Sequence, residues 1–185
     1  IWLLSCRSPV AYQPTNTTPI PAYVRSEWKH WIDEDKNCLN TRHEILKQRS
    51  KSSVTFSKNG CSVKSGEWDD YYYPEQLKLA AKIDIDHLIP LKHAHDHGGH
   101  SWSEERKKEF ANDLENLVIT NRKYNRQKGS QGIDTWLPVH KDFACKYMKD
   151  WVRLKKKYQL NFSEQENLSL KTATEQGCSV SGFPN

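Results

Sequence analysis

Asp86 and His87 stand side by side in the middle of this 185-residue chain, with Asn116 and Asn125 further along. Carboxylate and amide oxygens suit a hard divalent cation such as magnesium or manganese, so Asp86 and Asn125 are candidate metal ligands. An imidazole with an ordinary pKa of about 6.5 is largely neutral at pH 7 and can take a proton from an attacking water, which makes His87 a candidate general base. A cation beside such a base can stabilise the charge that develops on a phosphate and on its leaving oxygen. These residue types therefore point to phosphodiester hydrolysis. Singly, each has a plainer reading: a surface Asp-His pair, a turn asparagine, a helix-surface asparagine.

For these groups to meet, the elements between them must be ordered. Ile85, His87 and Ile89 alternate with Asp84, Asp86 and Leu88 before Pro90 ends the run, and Leu117-Val118-Ile119 is a second strand-like run. Thr120 or Asn121 can cap a short helix carrying Tyr124, Asn125 and Lys128, which Gly129 terminates. The expected order is strand, long insertion, strand, helix. On the first strand, Asp86 and His87 point to opposite faces of the pleat.

The segments Asp84-Ile85-Asp86-His87-Leu88-Ile89-Pro90-Leu91, Asn112-Asp113-Leu114-Glu115-Asn116-Leu117 and Asn125-Arg126-Gln127-Lys128-Gly129, followed by Trp136-Leu137-Pro138, closely resemble the HNH (ββα-metal) nucleases. Among these the chain is similar to small secreted members related to the GmrSD-type restriction endonucleases, from about residue 28 to residue 178. The resemblance implies an α+β fold: a ββα-metal core of two short antiparallel strands and a helix, wrapped by several helices and a small hairpin. It makes His87 the general base, Asp86 a metal ligand, Asn116 the holder of the loop that orients His87, and Asp84 a supporting carboxylate. Many members end the motif with histidine where this chain has Asn125. The HNH domain of the CRISPR effector nucleases has the same departure, and a neutral amide favours magnesium or manganese over zinc. Asn40-Thr41-Arg42, just after a cysteine, implies a phosphate-contacting Arg42; a solvated arginine is the alternative.

Twenty-eight Lys and Arg against 23 Asp and Glu leave a net charge of +5, which suits a polyanionic partner without requiring one. The candidate partner is DNA, with RNA second, contacted by Arg122, Lys123, Arg126 and Lys128 on the helix that carries Asn125. The chain is expected to act as a monomer. With 36% hydrophobic residues the length fits one domain, residues 22–185, behind a leader and linker at 1–21. In that leader, Leu3-Leu4-Ser5-Cys6 resembles the end of a lipoprotein signal, so Cys6 is a candidate lipid-anchor site. Asn16-Thr17-Thr18 is a glycosylation sequon of consequence only in a eukaryotic source. Cys38 with Cys61 and Cys145 with Cys178 bracket compact segments, implying two disulfides and export to an oxidising compartment; reduced thiols are the alternative.

Further local signals extend the outline. Trp28, Trp31 and Ile32 have helical spacing and read as a core stripe, with a base-stacking platform as the alternative. Thr41 to Glu44 reads as a capping box. Lys58-Asn59-Gly60 reads as a primed hairpin turn. Pro74 is expected to open a helix through Leu77, Leu79 and Ile83. The aromatic run Tyr71 to Tyr73 is expected beside the central strand. Ser103 caps a helix over 104–110, whose Arg106, Lys107 and Lys108 face nucleic acid or water. A helix over 142–160 has an apolar stripe and a basic face, and Ser163 to Glu166 is another capping box. His93, His95, His97 and His100 offer a competing reading as a transition-metal site. Function is thus read as endonuclease, with a silent nucleic-acid-binding module and a histidine-cluster metal-binding lipoprotein as alternatives.

Overall fold

The structure is a computed structural model that describes residues 19–182; Cys6 and the Asn16 sequon lie outside the described residues. Residues 23–32 form no helix beyond a 3-10 turn at Arg25–Glu27. Trp28 is buried as the stripe requires, but Trp31 takes a positive φ of 58°, which a helix cannot accommodate. The first α-helix, α1 (Thr41–Gln48), is capped by Asn40 rather than Thr41, because the Asn40 side chain accepts from the His43 amide. Glu44 instead accepts from Asn37 Nδ2, so the expected capping box does not form.

Thr55–Phe56 (β1), Val63–Asp69 (β2) and Gln76–Leu79 (β3) make an antiparallel sheet in that order. In the hairpin loop Gly60 alone takes positive φ, so the turn is not primed; a type I′ turn would need positive φ at both central residues. The helix expected after Pro74 is strand β3 instead. Gln76 and Leu77 pair with Asp69 and Trp68, and Leu77 is buried with Trp68, Ile45 and Leu46. Sheet pairing and that apolar contact override the local helix signal.

A 3-10 turn at Ala80–Lys82 leads into β4 (Ile83–His87). Then come α2 (Leu91–Asp96), α3 (Glu104–Asn112), β5 (Leu117–Asn121), α4 (Arg122–Lys128), α5 (Lys141–Tyr158) and α6 (Glu164–Glu175). Ser103 caps α3 and Asn121 caps α4, each accepting a backbone N–H, and Gly129 ends α4 at φ 56°. β4 and β5 pair antiparallel, with Asp86 opposite Val118 and His87 opposite Leu117.

This two-stranded sheet lies between two apolar cores. Ile83, Ile85, Leu117 and Ile119 join Ile45, Leu46 and Trp68 on one side. Val118 joins Tyr72, Phe110, Tyr147 and Trp151 on the other. Alternation along β4 therefore puts Asp84 and Asp86 on the larger-core side and His87 on the smaller-core side. Cys38–Cys61 ties the lead-in to α1 onto the β1–β2 hairpin, and Cys145–Cys178 ties α5 to the chain after α6. The result is the expected α+β fold with both disulfides formed. No helix among the described residues is long and apolar enough to cross a membrane.

Candidate active site

Asp86 lies near the end of β4 and is 7% exposed. Its Oδ2 accepts from the Tyr72 hydroxyl at 2.6 Å and from Lys128 Nζ at 2.8 Å. Lys128 also donates to the His87 carbonyl at 2.8 Å. The lysine expected to meet nucleic acid is thus fully buried, because positions 125 and 128 share one face of α4 and that face packs on β4. Arg122, Lys123 and Arg126 are exposed, as expected. Both donors crowd one carboxylate oxygen of Asp86. The other, Oδ1, has no partner among the described residues and is not sealed from solvent.

Asn125 is oriented from behind. Its Nδ2 donates to Asp84 Oδ2 at 3.0 Å, while Arg122 Nε donates to Asp84 Oδ1 at 3.3 Å. A carboxylate can only accept here, which fixes the amide nitrogen toward Asp84 and leaves the amide oxygen uncommitted. Asp86 Oδ1 and Asn125 Oδ1 are hard oxygen donors, and this set fits a magnesium or manganese ion.

His87 is 6% exposed. Its Nε2 lies 2.8 Å from the Ala111 carbonyl, which can only accept, so Nε2 carries the proton and Nδ1 keeps the basic lone pair. Nδ1 is unpaired among the described residues and not sealed off. Burial pulls the His87 pKa down to about 3; the Ala111 contact opposes this, and the nearby His30, Lys128 and Arg25 add to it. The ring is therefore neutral at pH 7. Asn116, fully buried, grips the turn directly after His87. Its Oδ1 accepts from the Ile89 amide at 2.8 Å, its Nδ2 donates to the Ile89 carbonyl, and its own carbonyl accepts from the Leu88 amide.

A cavity of about 380 Å³ brings Asp86, His87 and Asn125 together, with Tyr23, Arg25 and Trp31 on its wall. A larger one, about 570 Å³, lies against Tyr71, Tyr73 and Phe143 and contains none of the three. Arg42 is not on the wall of the smaller cavity; its Nη2 donates to the carbonyls of Ala80 and Ile83 and braces the entry to β4. Sequence reasoning missed Tyr72 as the Asp86 donor, since three successive tyrosines gave no sign of which one turns inward. Arg25 was missed, and Trp31 was read as core because helical spacing concealed its true backbone path.

The four histidines of the insertion do not converge. His95 Nε2 meets the Pro21 carbonyl and His100 Nδ1 meets the His95 carbonyl. His93 and His97 stack at 3.8 Å and, with Glu166, bring three donor atoms within 4.8 Å of one another. Glu166 is already engaged by Lys155 Nζ at 2.6 Å to both oxygens, by Trp151 Nε1 at 2.8 Å and by the Ser163 amide at 2.7 Å. On α3, Lys107 is buried on Glu27 and Arg106 donates to the Tyr158 carbonyl, so neither lies on a free cationic face.

Residues 40–172 match the family described as GmrSD restriction endonucleases, C-terminal domain. The chain belongs to this family. This GmrSD-type chain is also 33% identical over 154 residues to an uncharacterized secreted protein of Arthroderma benhamiae, covering 82% of this chain and 74% of the relative. No solved structure matches it. Membership of the GmrSD family carries a nuclease-related function with nucleic acid as the substrate class. Its two disulfides and the secreted relative agree on an exported, oxidising compartment.

Proposed function

We propose that this chain is a divalent-metal-dependent endonuclease of the HNH (ββα-metal) type, hydrolysing phosphodiester bonds of DNA, and of RNA as a second substrate, with little sequence preference. The observation that carries the reading is the single cavity into which β4 and α4 bring Asp86, His87 and Asn125. His87, neutral and held through Nε2 by Ala111, takes a proton from the attacking water at Nδ1. Asn116 keeps that ring in place by closing the turn behind it. Asp86 and Asn125 would hold one magnesium or manganese ion. When bound, the ion supplies charge stabilisation for the phosphate and the leaving oxygen. Tyr72 and Lys128 fix the Asp86 carboxylate through one oxygen and leave the other for that role. Arg122, Lys123 and Arg126 on the exposed side of α4 receive the phosphate backbone, contacts that give affinity but carry no sequence information.

The test is plasmid nicking with magnesium or manganese present. EDTA should stop it, and His87→Ala should abolish turnover while DNA binding and the native far-UV spectrum persist. Full nicking by His87→Ala would remove the base assignment.

A further inference from the structure

Residues 23–32 precede the part of the chain that matches the family, yet they bring Tyr23, Arg25 and Trp31 to the cavity wall beside His87. Trp31 is held at φ 58°, a left-handed conformation that bulky L-residues avoid and that persists only where the surroundings enforce it. Part of its side chain packs on the smaller core, and its ring lies 5.8 Å from the His87 ring, facing the cavity. An ordinary core tryptophan needs no such backbone, as fully buried Trp28 nearby demonstrates.

Arg25 is arranged from the same segment. His30 Nδ1 donates to the Trp28 carbonyl at 2.7 Å, so its Nε2 is an acceptor and takes Arg25 Nη2 at 3.1 Å. That contact aims the guanidinium without neutralising it. The other cations on or beside the cavity are occupied: Lys92 by Asp96 at 2.6 Å and Lys128 by Asp86. Arg25 has no carboxylate partner among the described residues. An unneutralised guanidinium and an aromatic face thus flank the proposed base.

We infer that this lead-in segment seats the substrate, Arg25 engaging a phosphate and Trp31 stacking on an unpaired nucleobase, so that single-stranded nucleic acid is the preferred substrate. The inference rests on the endonuclease reading. A base in a duplex is covered on both faces by its neighbours and has none to offer Trp31, whereas an unpaired base stacks readily on an aromatic ring.

The experiment uses the His87→Ala chain, so that binding is read without cleavage. Fluorescence anisotropy would compare a short single-stranded DNA with a hairpin duplex of the same sequence at fixed salt. The single strand should bind more tightly. Trp31→Leu should weaken single-strand binding by about tenfold or more, the scale of one base-aromatic stack, and leave duplex binding unchanged. Trp31→Phe, which keeps a flat ring, should retain the preference; the Leu and Phe pair separates stacking from simple filling of space. Arg25→Ala should weaken both substrates and lower the salt slope by about one. Equal affinity for single strand and duplex, or equal behaviour of the Leu and Phe variants, would overturn the inference. If the unmutated chain nicks plasmid while either of those results appears, only the inference falls; if the unmutated chain does not nick plasmid, the endonuclease reading falls first.

Discussion

Asp86 and Glu166 are both buried carboxylates held against a fully buried lysine, Lys128 for one and Lys155 for the other, and the two surroundings differ in one respect. Around Glu166 every acceptor position is used: Oε1 takes Trp151, Lys155 and His93, while Oε2 takes Lys155 and the Ser163 amide, with His97 Nε2 at 3.4 Å. Around Asp86 the two donors share Oδ2, Oδ1 has no partner among the described residues, and the residue lines a cavity that also holds His87 and Asn125. A saturated carboxylate braces; one left half-satisfied beside a base can act on something else. On the proposed reading, that difference separates two candidate metal sites that looked comparable as strings of histidines, aspartates and asparagines. The His93, His97 and Glu166 group joins α2 to α6 and already contains its cation.

The largest expected contrast is in catalysis. Asp86→Asn should lower metal-dependent nicking by about 10²–10⁴-fold, the scale on which a positioned catalytic group contributes. Glu166→Gln should leave the specific rate of the folded protein within a few-fold, with plasmid nicking normalised to native protein as the measure. Comparable losses in the two variants would erase the distinction.

Stability should rank the other way. Glu166→Ala strands Lys155 in an apolar interior and should cost about 3–5 kcal/mol in urea unfolding with the disulfides intact. Replacing both members by apolar residues, Glu166→Leu with Lys155→Met, should recover most of that loss. Lys128→Met sharpens the comparison, because it leaves Asp86 without its buried cation. In EDTA it should be destabilised on a similar scale, and magnesium or manganese should restore part of the loss. Neither ion should rescue Glu166→Ala; rescue there would identify the histidine pair as a genuine ion site.

The smallest effect is a pH slope. Burial draws the His93 pKa down to about 4, with the Glu166 contact opposing. Burial alone would raise Glu166, but donation from His93 and the Lys155 charge outweigh it and hold that carboxyl well below its usual range. Between about pH 6.5 and pH 4 the unfolded chain takes a proton on His93 that the folded chain does not, so stability rises with pH there by up to about 1.4 kcal/mol per unit. Below that, Glu166 continues the loss as its carboxylate is titrated. In EDTA, His93→Gln should reduce the slope above pH 4 without abolishing it, because burial draws His87 down in the same way and it contributes over the same range; an unchanged slope would show that His93 is not one of the groups responsible.

Much of the site was legible because its signals are local. Strand alternation ending at Pro90, the Asn121 cap and the Gly129 stop place Asp86, His87 and Asn125 on β4 and α4 in the expected order. The Ser163 and Glu166 capping box was equally legible, since both partners lie within one turn. Its second role was not, because Lys155, His93 and His97 reach Glu166 from other helices.

Residue type, short-range spacing and the family resemblance those residues carry were enough for the α+β class, the pairing of four cysteines and the three groups that meet in the cavity. Tertiary structure alone decided which basic and aromatic side chains serve them. Lys128 turned inward because its face of α4 meets β4, Arg42 became a brace, the stretch after Pro74 paired as a strand, and Trp31 was bent toward His87. The physical reason is one of range: caps and pleats are settled by neighbours within a few residues, whereas burial of a charge or a ring depends on what another segment brings against it.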